Sequence, residues 1–267
     1  MIVRFATYNI CFGGADRLDA IERVLKQMAP DVAALTEADD PSVVAELARR
    51  LGMDHVWAKG SGDRHIALLS RFPIRAWKIY NRPPLTQAAL EATLALNTHG
   101  AALTVYSVHL LPYLLLPFEI RRTQAIGQLL GHAAAAPGPR LIMGDLNAIA
   151  PGDRVLQARN PARMRRVQLL QANQVFHFAI RRLLRAGYVD CYRASHPNGV
   201  RHGPEPDVVD GFTWQTGNTT TRYDYIFAEA ALGPRLRACR VVDAHSVPEI
   251  DAASDHYPLL AEFDLDV

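Results

Sequence analysis

Two polar side chains, a carboxylate and a carboxamide, stand two residues apart in the segment Gly144-Asp145-Leu146-Asn147, directly after the apolar run 141–143. In an extended chain, residues two apart point to the same side, so Asp145 and Asn147 would share one face. Such a pair at a strand end suits the positioning of a water molecule and an oxyanion beside a hard cation. Asp and Asn are also common turn residues, so this segment alone does not establish a site.

Matching polar groups stand beside five other apolar segments of the chain. They are Asn9, Glu37, His109, Asp224 and the adjacent pair Asp255 and His256. Each one, taken singly, is more often a turn, cap or structural residue than a functional one. The complete set, with every member at the edge of an apolar segment, is difficult to reach by chance. We therefore interpret it as one site.

The elements that position these residues can be predicted from the hydrophobic pattern. Apolar runs and alternation predict strands at 2–8, 32–36, 66–70, 90–96, 102–109, 140–144, 223–228 and 257–263. Helical spacing predicts helices at 16–28, 41–51, 119–135, 161–172 and 174–186. This mixture indicates an α/β or α+β fold in a single domain, 1–267.

The composition is that of an ordinary globular protein. Of 267 residues, 49% are hydrophobic and 21% charged, and no stretch approaches the roughly 18 apolar residues of a membrane span. Three widely separated cysteines provide neither a disulfide framework nor a CxxC zinc site. The N-terminus resembles a strand more than a signal peptide, so we expect a reduced, cytoplasmic protein.

The positive charge is concentrated in one segment. Residues 151–187 hold eight arginines and a single acid, a net +7, whereas the whole chain carries only +2. The arginines are Arg154, Arg159, Arg163, Arg165, Arg166, Arg181, Arg182 and Arg185. This distribution favours an anionic partner near the segment, or else a solvated helix face in a chain that uses arginine in place of lysine.

The ordered blocks of the chain resemble those of the endonuclease/exonuclease/phosphatase superfamily, which has the DNase I-like fold. The blocks are Tyr8-Asn9, Thr36-Glu37, 68–74, Ser107-Val108-His109, 144–147, 222–226 and Ser254-Asp255-His256. The resemblance covers essentially the whole chain. It implies a four-layer αββα sandwich, with two mixed β-sheets packed face to face and helices outside. The Arg-rich segment at about 151–187 differs from a minimal scaffold of this kind, and we interpret it as a helical insertion.

The resemblance also implies metal ligands. Glu37 would be the principal ligand of Mg²⁺ or Mn²⁺, with Asn9 and Asp255 helping to hold the ion. Carboxylate and amide oxygens do suit these ions better than zinc. Many members have Gln before the metal-binding Glu, where this chain has Thr36.

Catalytic roles follow in the same way. Asp145 would orient or deprotonate the attacking water, and Asn147 would bind a phosphate oxygen. His256 would contact the phosphate or act as base, oriented by Asp224, and His109 would stabilise the transition state or assist the leaving oxygen. Abasic-site endonucleases of the family have Tyr where this chain has His109, so that subclass is disfavoured.

The substrate class stays open between three hypotheses. The arginine segment favours a phosphodiesterase that acts on nucleic acid. The apolar segment 110–118, directly after His109, could instead contact a membrane surface or line a pocket, which favours a lipid (sphingomyelinase-like) or small-metabolite phosphodiesterase or phosphatase. A non-catalytic phosphate-binding scaffold is disfavoured because the complete site is present. In every case the partner is an anionic phosphoester.

Overall fold

A computed structural model describes residues 1–97, 101–169, 171–197, 211–248 and 250–265. The strands of this part are β1 Ile2–Asn9, β2 Val32–Thr36, β3 Asp54–Ala58, β4 Ile66–Ser70, β5 Ile74–Tyr80, β6 Ala89–Ala95, β7 Ala102–His109, β8 Arg140–Asp145, β9 Tyr188–Asp190, β10 Asp224–Glu229, β11 Leu236–Val241 and β12 Leu259–Asp264. The α-helices are α1 Leu18–Met28, α2 Pro41–Leu51, α3 Leu116–Ala135, α4 Ala162–Leu169, α5 Phe178–Arg185 and α6 Cys191–Ser195.

The strands form two six-stranded sheets. The first has the order β11-β12-β1-β2-β4-β3, and the second β5-β6-β7-β8-β10-β9. Strands β1 and β2 are parallel, as are β7 and β8, whereas the other neighbours are antiparallel. Both sheets are therefore mixed, as the resemblance implied.

Four layers follow from the alternation of side chains along the strands. One face of each sheet meets the other sheet in a shared apolar core. The outer face of the first sheet packs against α1 and α2, and that of the second against α3 and α5. The expected αββα sandwich is thus confirmed.

Some elements differ from the sequence-based expectation. Strands β3, β5, β9 and β11 were not predicted, and all four lie at a sheet edge. Strands β3, β5 and β11 are largely exposed, which weakens their apolar signal, and β9 has only three residues. Helix α3 begins at Leu116 rather than at 119, with Pro117 in its first turn, where proline's missing N–H costs no helical hydrogen bond. Helices α4 and α5 are shorter than the predicted 161–172 and 174–186.

Candidate active site

The inner faces of four central strands change from apolar to polar at the same end of the sandwich. On β1, the inward positions run Val3 and Phe5 and then reach the buried Asn9. On β8, Leu141 and Met143 are followed by the buried Asp145. His109 is the last residue of β7 and Asp224 is the first residue of β10. By the same alternation, both side chains face the space between the sheets. The two-residue period that builds the core therefore also directs these side chains into the space between the sheets.

Strand register aligns three of these residues across the second sheet. Asp145 pairs with His109 on parallel β7 and with Asp224 on antiparallel β10. Gly144 makes this close approach possible, because a Cβ atom at that position would overlap the Val108 carbonyl oxygen. Its φ of 148° also lies outside the range that other residues favour.

Asn9 on the first sheet contacts two of the acidic groups of the site. Its Nδ2 donates to Glu37 Oε1 at 3.3 Å and to Asp145 Oδ2 at 3.1 Å, while its Oδ1 accepts from the Cys11 N–H at 3.0 Å. The carboxylate of Glu37 follows β2 and remains part-exposed, with its Oε2 accepting the Phe12 N–H at 3.1 Å. The Asn9 amide therefore holds the carboxylates of Asp145 and Glu37 next to each other.

His256 faces Asp145 from the segment before β12. Its Nδ1 lies 2.8 Å from Asp224 Oδ2, and its Nε2 lies 3.9 Å from Asp145 Oδ2. The neighbouring Asp255 accepts a hydrogen bond from Trp214 Nε1 at 3.3 Å. Asp224 thus orients the imidazole so that Nε2 points into the site.

Asn147 and His109 form the opposite side of the centre. The Asn147 Nδ2 lies 3.3 Å from His109 Nε2 and donates to the Leu110 carbonyl at 3.0 Å. The Asn147 backbone N–H donates to Asp145 Oδ1 at 2.9 Å. The segment 145–147 is therefore folded back on itself, with φ of 46° at Asn147, and is not the extended strand that the two-residue spacing assumed.

A cavity of ≈ 340 Å³ opens over this centre. Its polar floor is made by Glu37, His109, Asp145, Asn147, Asp255 and His256. Asn9 and Asp224 support the floor through their hydrogen bonds to Glu37, Asp145 and His256. All eight residues proposed from the sequence are therefore brought together.

Burial and charge set the protonation of the centre. Burial, reinforced by the nearby Asp224 carboxylate, raises the pKa of Asp145 to about 8. Burial alone would lower the pKa of His256, but the adjacent Asp224 outweighs it and raises the value to about 10. Burial lowers the pKa of His109 to about 4. At neutral pH and without a bound cation, these shifts favour the protonated forms of both Asp145 and His256, and the neutral form of His109.

The donor set fits a divalent metal ion. Asp145, Asp224 and His256 each offer a ligand atom within 4.8 Å of the others, and oxygens of Glu37 and Asp255 face the same cavity. Arg64 is the one arginine or lysine among the described residues that lines it. The carboxyl groups of the centre outnumber the positive charges of Arg64 and His256, which suits a hard cation such as Mg²⁺.

Residues that the sequence reasoning missed complete the centre. Arg17 donates to the carbonyls of Ile10 and Ala253 at 3.2 and 2.8 Å, and so ties the loop after β1 to the segment before Asp255. Trp214 positions Asp255, and Thr213 Oγ1 accepts the Asp224 N–H at 3.2 Å. Trp214 is close in sequence to the block 222–226, which could have drawn attention to it. Its contact with Asp255 becomes visible only in the folded structure.

The two segments considered for substrate binding are both near the cavity. The wall is formed by 112–115, with Met164 and Gln168 from α4. Leu110 and Leu114 are buried, whereas Tyr113 and Leu116 are exposed. The segment 110–118 is thus partly a pocket wall and partly exposed surface.

The arginines of 151–187 do not line the cavity in the described part of the chain. Three of them, Arg181, Arg182 and Arg185, lie with Phe178 in a shallow groove on the outer helical layer. The side chain of Arg163 lies outside the described residues. The part of the segment 151–187 that reaches the cavity is therefore α4, through Met164 and Gln168, and not the arginines of α5.

Comparison with known proteins identifies the family. The profile of the Endonuclease/Exonuclease/phosphatase family matches residues 6–256. The chain belongs to this family. Its members are phosphoester hydrolases, so the predicted family and its general reaction class are confirmed. Comparison with curated proteins finds no matching sequence.

Solved structures with the same fold cover almost the whole chain. The 3′ phosphatase NExo from Neisseria, a variant bound to a product DNA hairpin, has a TM-score of 0.73 and 18% identity over 98% of this chain and 100% of its own. An AP endonuclease from Archaeoglobus fulgidus has a TM-score of 0.70 and 20% identity, with the same coverage. A humanised D. rerio TDP2 has a TM-score of 0.65 and 17% identity, covering 99% of each chain.

Within the described residues, every helix is too short or too polar to cross a bilayer.

Proposed function

We propose that this protein hydrolyses phosphoesters by water attack with a bound Mg²⁺ or Mn²⁺ ion, and that its substrate is a nucleic acid. The observation that carries the proposal is the convergence of all eight polar residues from both sheets on one cavity. Phosphoryl transfer depends mainly on positioning and on stabilising the charge of the phosphoryl group, and the residues present supply both.

Glu37, with Asn9 and Asp255, would hold the ion at the part-exposed edge of the cavity. The bound ion supplies positive charge to the phosphate oxygens. Asp145 stands between Asn9 and Asn147, which hold both of its oxygens at 3.1 and 2.9 Å. In its ionised form, which a bound cation favours, Asp145 is positioned to accept a proton from the attacking water.

His256 then acts as a donor to a phosphate oxygen, because its imidazolium form is maintained by Asp224. This favours the phosphate-contact role over the base role considered from the sequence. Asn147 and the neutral His109 are adjacent, so their side-chain nitrogens can donate to another phosphoryl oxygen or to the leaving oxygen.

Nucleic acid is favoured by two observations. The arginine-rich surface offers positive charge for phosphates beyond the one being cleaved. Structural neighbours include a 3′ phosphatase bound to a product DNA hairpin. The apolar wall 112–115 favours a second candidate, a lipid or small-metabolite phosphoester whose apolar part would lie against that wall.

The test is hydrolysis by the purified protein of single- and double-stranded DNA, RNA, sphingomyelin, inositol phosphates and bis-p-nitrophenyl phosphate, each with Mg²⁺, Mn²⁺ or EDTA. Metal-dependent nucleic-acid cleavage that is absent in Asp145→Ala supports the proposal. Activity confined to lipids or small phosphoesters overturns the substrate assignment, and no hydrolysis of any substrate overturns the enzyme assignment.

Metal binding is tested separately with Glu37→Gln, which removes one negative charge with little change of shape. We expect this variant to need a much higher Mg²⁺ concentration for half-maximal rate. Glu262→Gln, on β12 and outside the cavity lining, is the matched control and should titrate like the wild type. Full activity of Glu37→Gln at low Mg²⁺ would contradict the assigned role.

A further inference from the structure

Two exposed aromatic rings stand at the mouth of the catalytic cavity. Phe12 is 67% exposed and Tyr113 is 57% exposed, and both line the cavity. Phe12 follows β1 of the first sheet, whereas Tyr113 follows β7 of the second. The rings therefore approach the cavity from opposite sheets.

Both rings are carried by an unfavourable backbone conformation. The φ angle is 50° at Phe12 and 77° at Tyr113, a region that bulky residues rarely adopt. Bulky residues persist there only where the surrounding structure holds them, and such places cluster at functional sites. Exposed rings contribute little to the core, so core packing does not account for this arrangement.

The contacts that hold the two backbones are specific. The Phe12 N–H donates to Glu37 Oε2 at 3.1 Å, so the ring's position depends on a residue of the site itself. The Tyr113 carbonyl accepts from Arg122 at 2.7 Å. Arg122 is buried, also binds the Leu111 carbonyl at 2.8 Å, and is paired with Glu119.

A positive charge accompanies the first ring. The Arg64 guanidinium lies 4.3 Å from the Phe12 ring centroid and its Nε lies 3.6 Å from Glu37 Oε2. It also donates to Asp39 at 2.9 Å. The Arg64 side chain is 28% exposed, so it can still reach an anion in the cavity. One side of the mouth therefore combines a planar apolar surface with a cation.

We propose that Phe12 and Tyr113 are stacking residues for two nucleobases near the scissile phosphate, and that Arg64 binds an adjacent phosphate. The inference rests on the proposed nucleic-acid substrate and deepens it. A nucleotide combines a planar π-face with an anion, which is the combination that the Phe12–Arg64 pair recognises. Because every base has a π-face, this recognition is tolerant of sequence.

The test compares two substrates and a set of variants. The substrates are a dT12 oligonucleotide and a 12-mer of tetrahydrofuran abasic nucleotides, which has the same phosphates but no bases. We expect the wild type to have a KM for dT12 about tenfold or more lower than for the abasic 12-mer, as base–aromatic stacking allows. Phe12→Ala and Tyr113→Ala should each lose much of this preference, mainly through KM, since stacking acts on bound substrate and transition state alike.

Matched variants separate stacking from folding. Phe12→Tyr and Tyr113→Phe keep an aromatic ring and should keep the preference. Trp77→Ala removes a ring that is 54% exposed on edge strand β5, away from the cavity, and should behave like the wild type. In a plot of log KM against log salt concentration, Arg64→Gln should reduce the slope by the amount expected for the loss of about one phosphate contact. Arg64→Lys should restore the slope.

The outcomes distinguish the inference from the function on which it rests. If the wild type cleaves neither these oligomers nor double-stranded DNA nor RNA, the proposed nucleic-acid function is wrong. If it cleaves dT12 but the double variant Phe12→Ala/Tyr113→Ala retains the preference for bases, the inference alone is overturned. If the Phe12 and Tyr113 variants lose hydrolysis of sphingomyelin in mixed micelles but cleave dT12 like the wild type, the nucleobase assignment is overturned as well.

Discussion

Asp224 and His256 join the two sheets at the floor of the cavity through a 2.8 Å contact between Oδ2 and Nδ1. Asp224 is fully buried on β10 of the second sheet, and His256 precedes β12 of the first. A carboxylate in this position both fixes the proton on Nδ1 and stabilises the imidazolium. The imidazolium form proposed for His256 thus depends on the packing of the two sheets.

Asp224→Asn should therefore lower the pKa of His256 and reduce kcat far more than it raises KM. A loss of about 10²–10⁴-fold in kcat is the scale for a misplaced proton donor. NMR titration of the His256 imidazole and steady-state kinetics check both effects. The control Asp54→Asn changes an exposed carboxylate on β3 and should leave both unchanged. An unaltered His256 pKa in Asp224→Asn would contradict the assigned role.

His109 predicts a pH dependence of stability. Burial lowers its pKa from 6.5 to about 4 in the folded protein, so between these values the unfolded state binds more protons. The free energy of unfolding therefore falls as pH decreases through this interval. In EDTA, lowering the pH from 6.5 to 4 should reduce the free energy of unfolding of both proteins. The reduction should be smaller for His109→Gln than for the wild type, by on the order of 1–3 kcal/mol. Urea unfolding at several pH values measures this, and equal losses would be inconsistent with it.

Arg222 predicts a structural weakness behind the site. It is fully buried and pairs with Asp153 at 2.8 Å and Asp190 at 2.6 Å. Arg222→Met should destabilise the fold by about 3–5 kcal/mol, because the buried Asp190 loses its arginine partner and the buried Asp153 loses one of two. Arg193→Met, which removes a part-exposed partner of Asp153, should cost about 1 kcal/mol or less. Urea unfolding of both variants compares the two losses, and similar values would contradict the assignment.

Gly144 predicts a steric requirement at the centre. Gly144→Ala would push β8 away from Val108 on β7, so it should destabilise the fold by more than about 2 kcal/mol and reduce kcat by separating His109 from Asp145. Gly131→Ala is the control, because its helical position has open space around it, and it should be neutral or stabilising by about 0.5–1 kcal/mol. Thermal unfolding and initial rates test the pair, and a stable, active Gly144→Ala would contradict the requirement.

The sequence by itself determined the family, the layered fold and the set of polar residues that the fold brings together. This was possible because a buried strand has a strong apolar signal, and a polar residue that ends such a strand stands out, as Asp145 does after 141–143. Strands such as β5 escaped prediction because much of their side-chain surface faces solvent and their pattern is mixed.

Only the tertiary structure decided how the polar residues act on one another. Asp145 meets Asn9 from a strand 136 residues away, and the protonation of His256 depends on Asp224 after both are buried. Burial and distance set these charges, and neither can be read along the chain. The same holds for Phe12 and Tyr113, since exposure and a left-handed backbone appear only after the two sheets have packed.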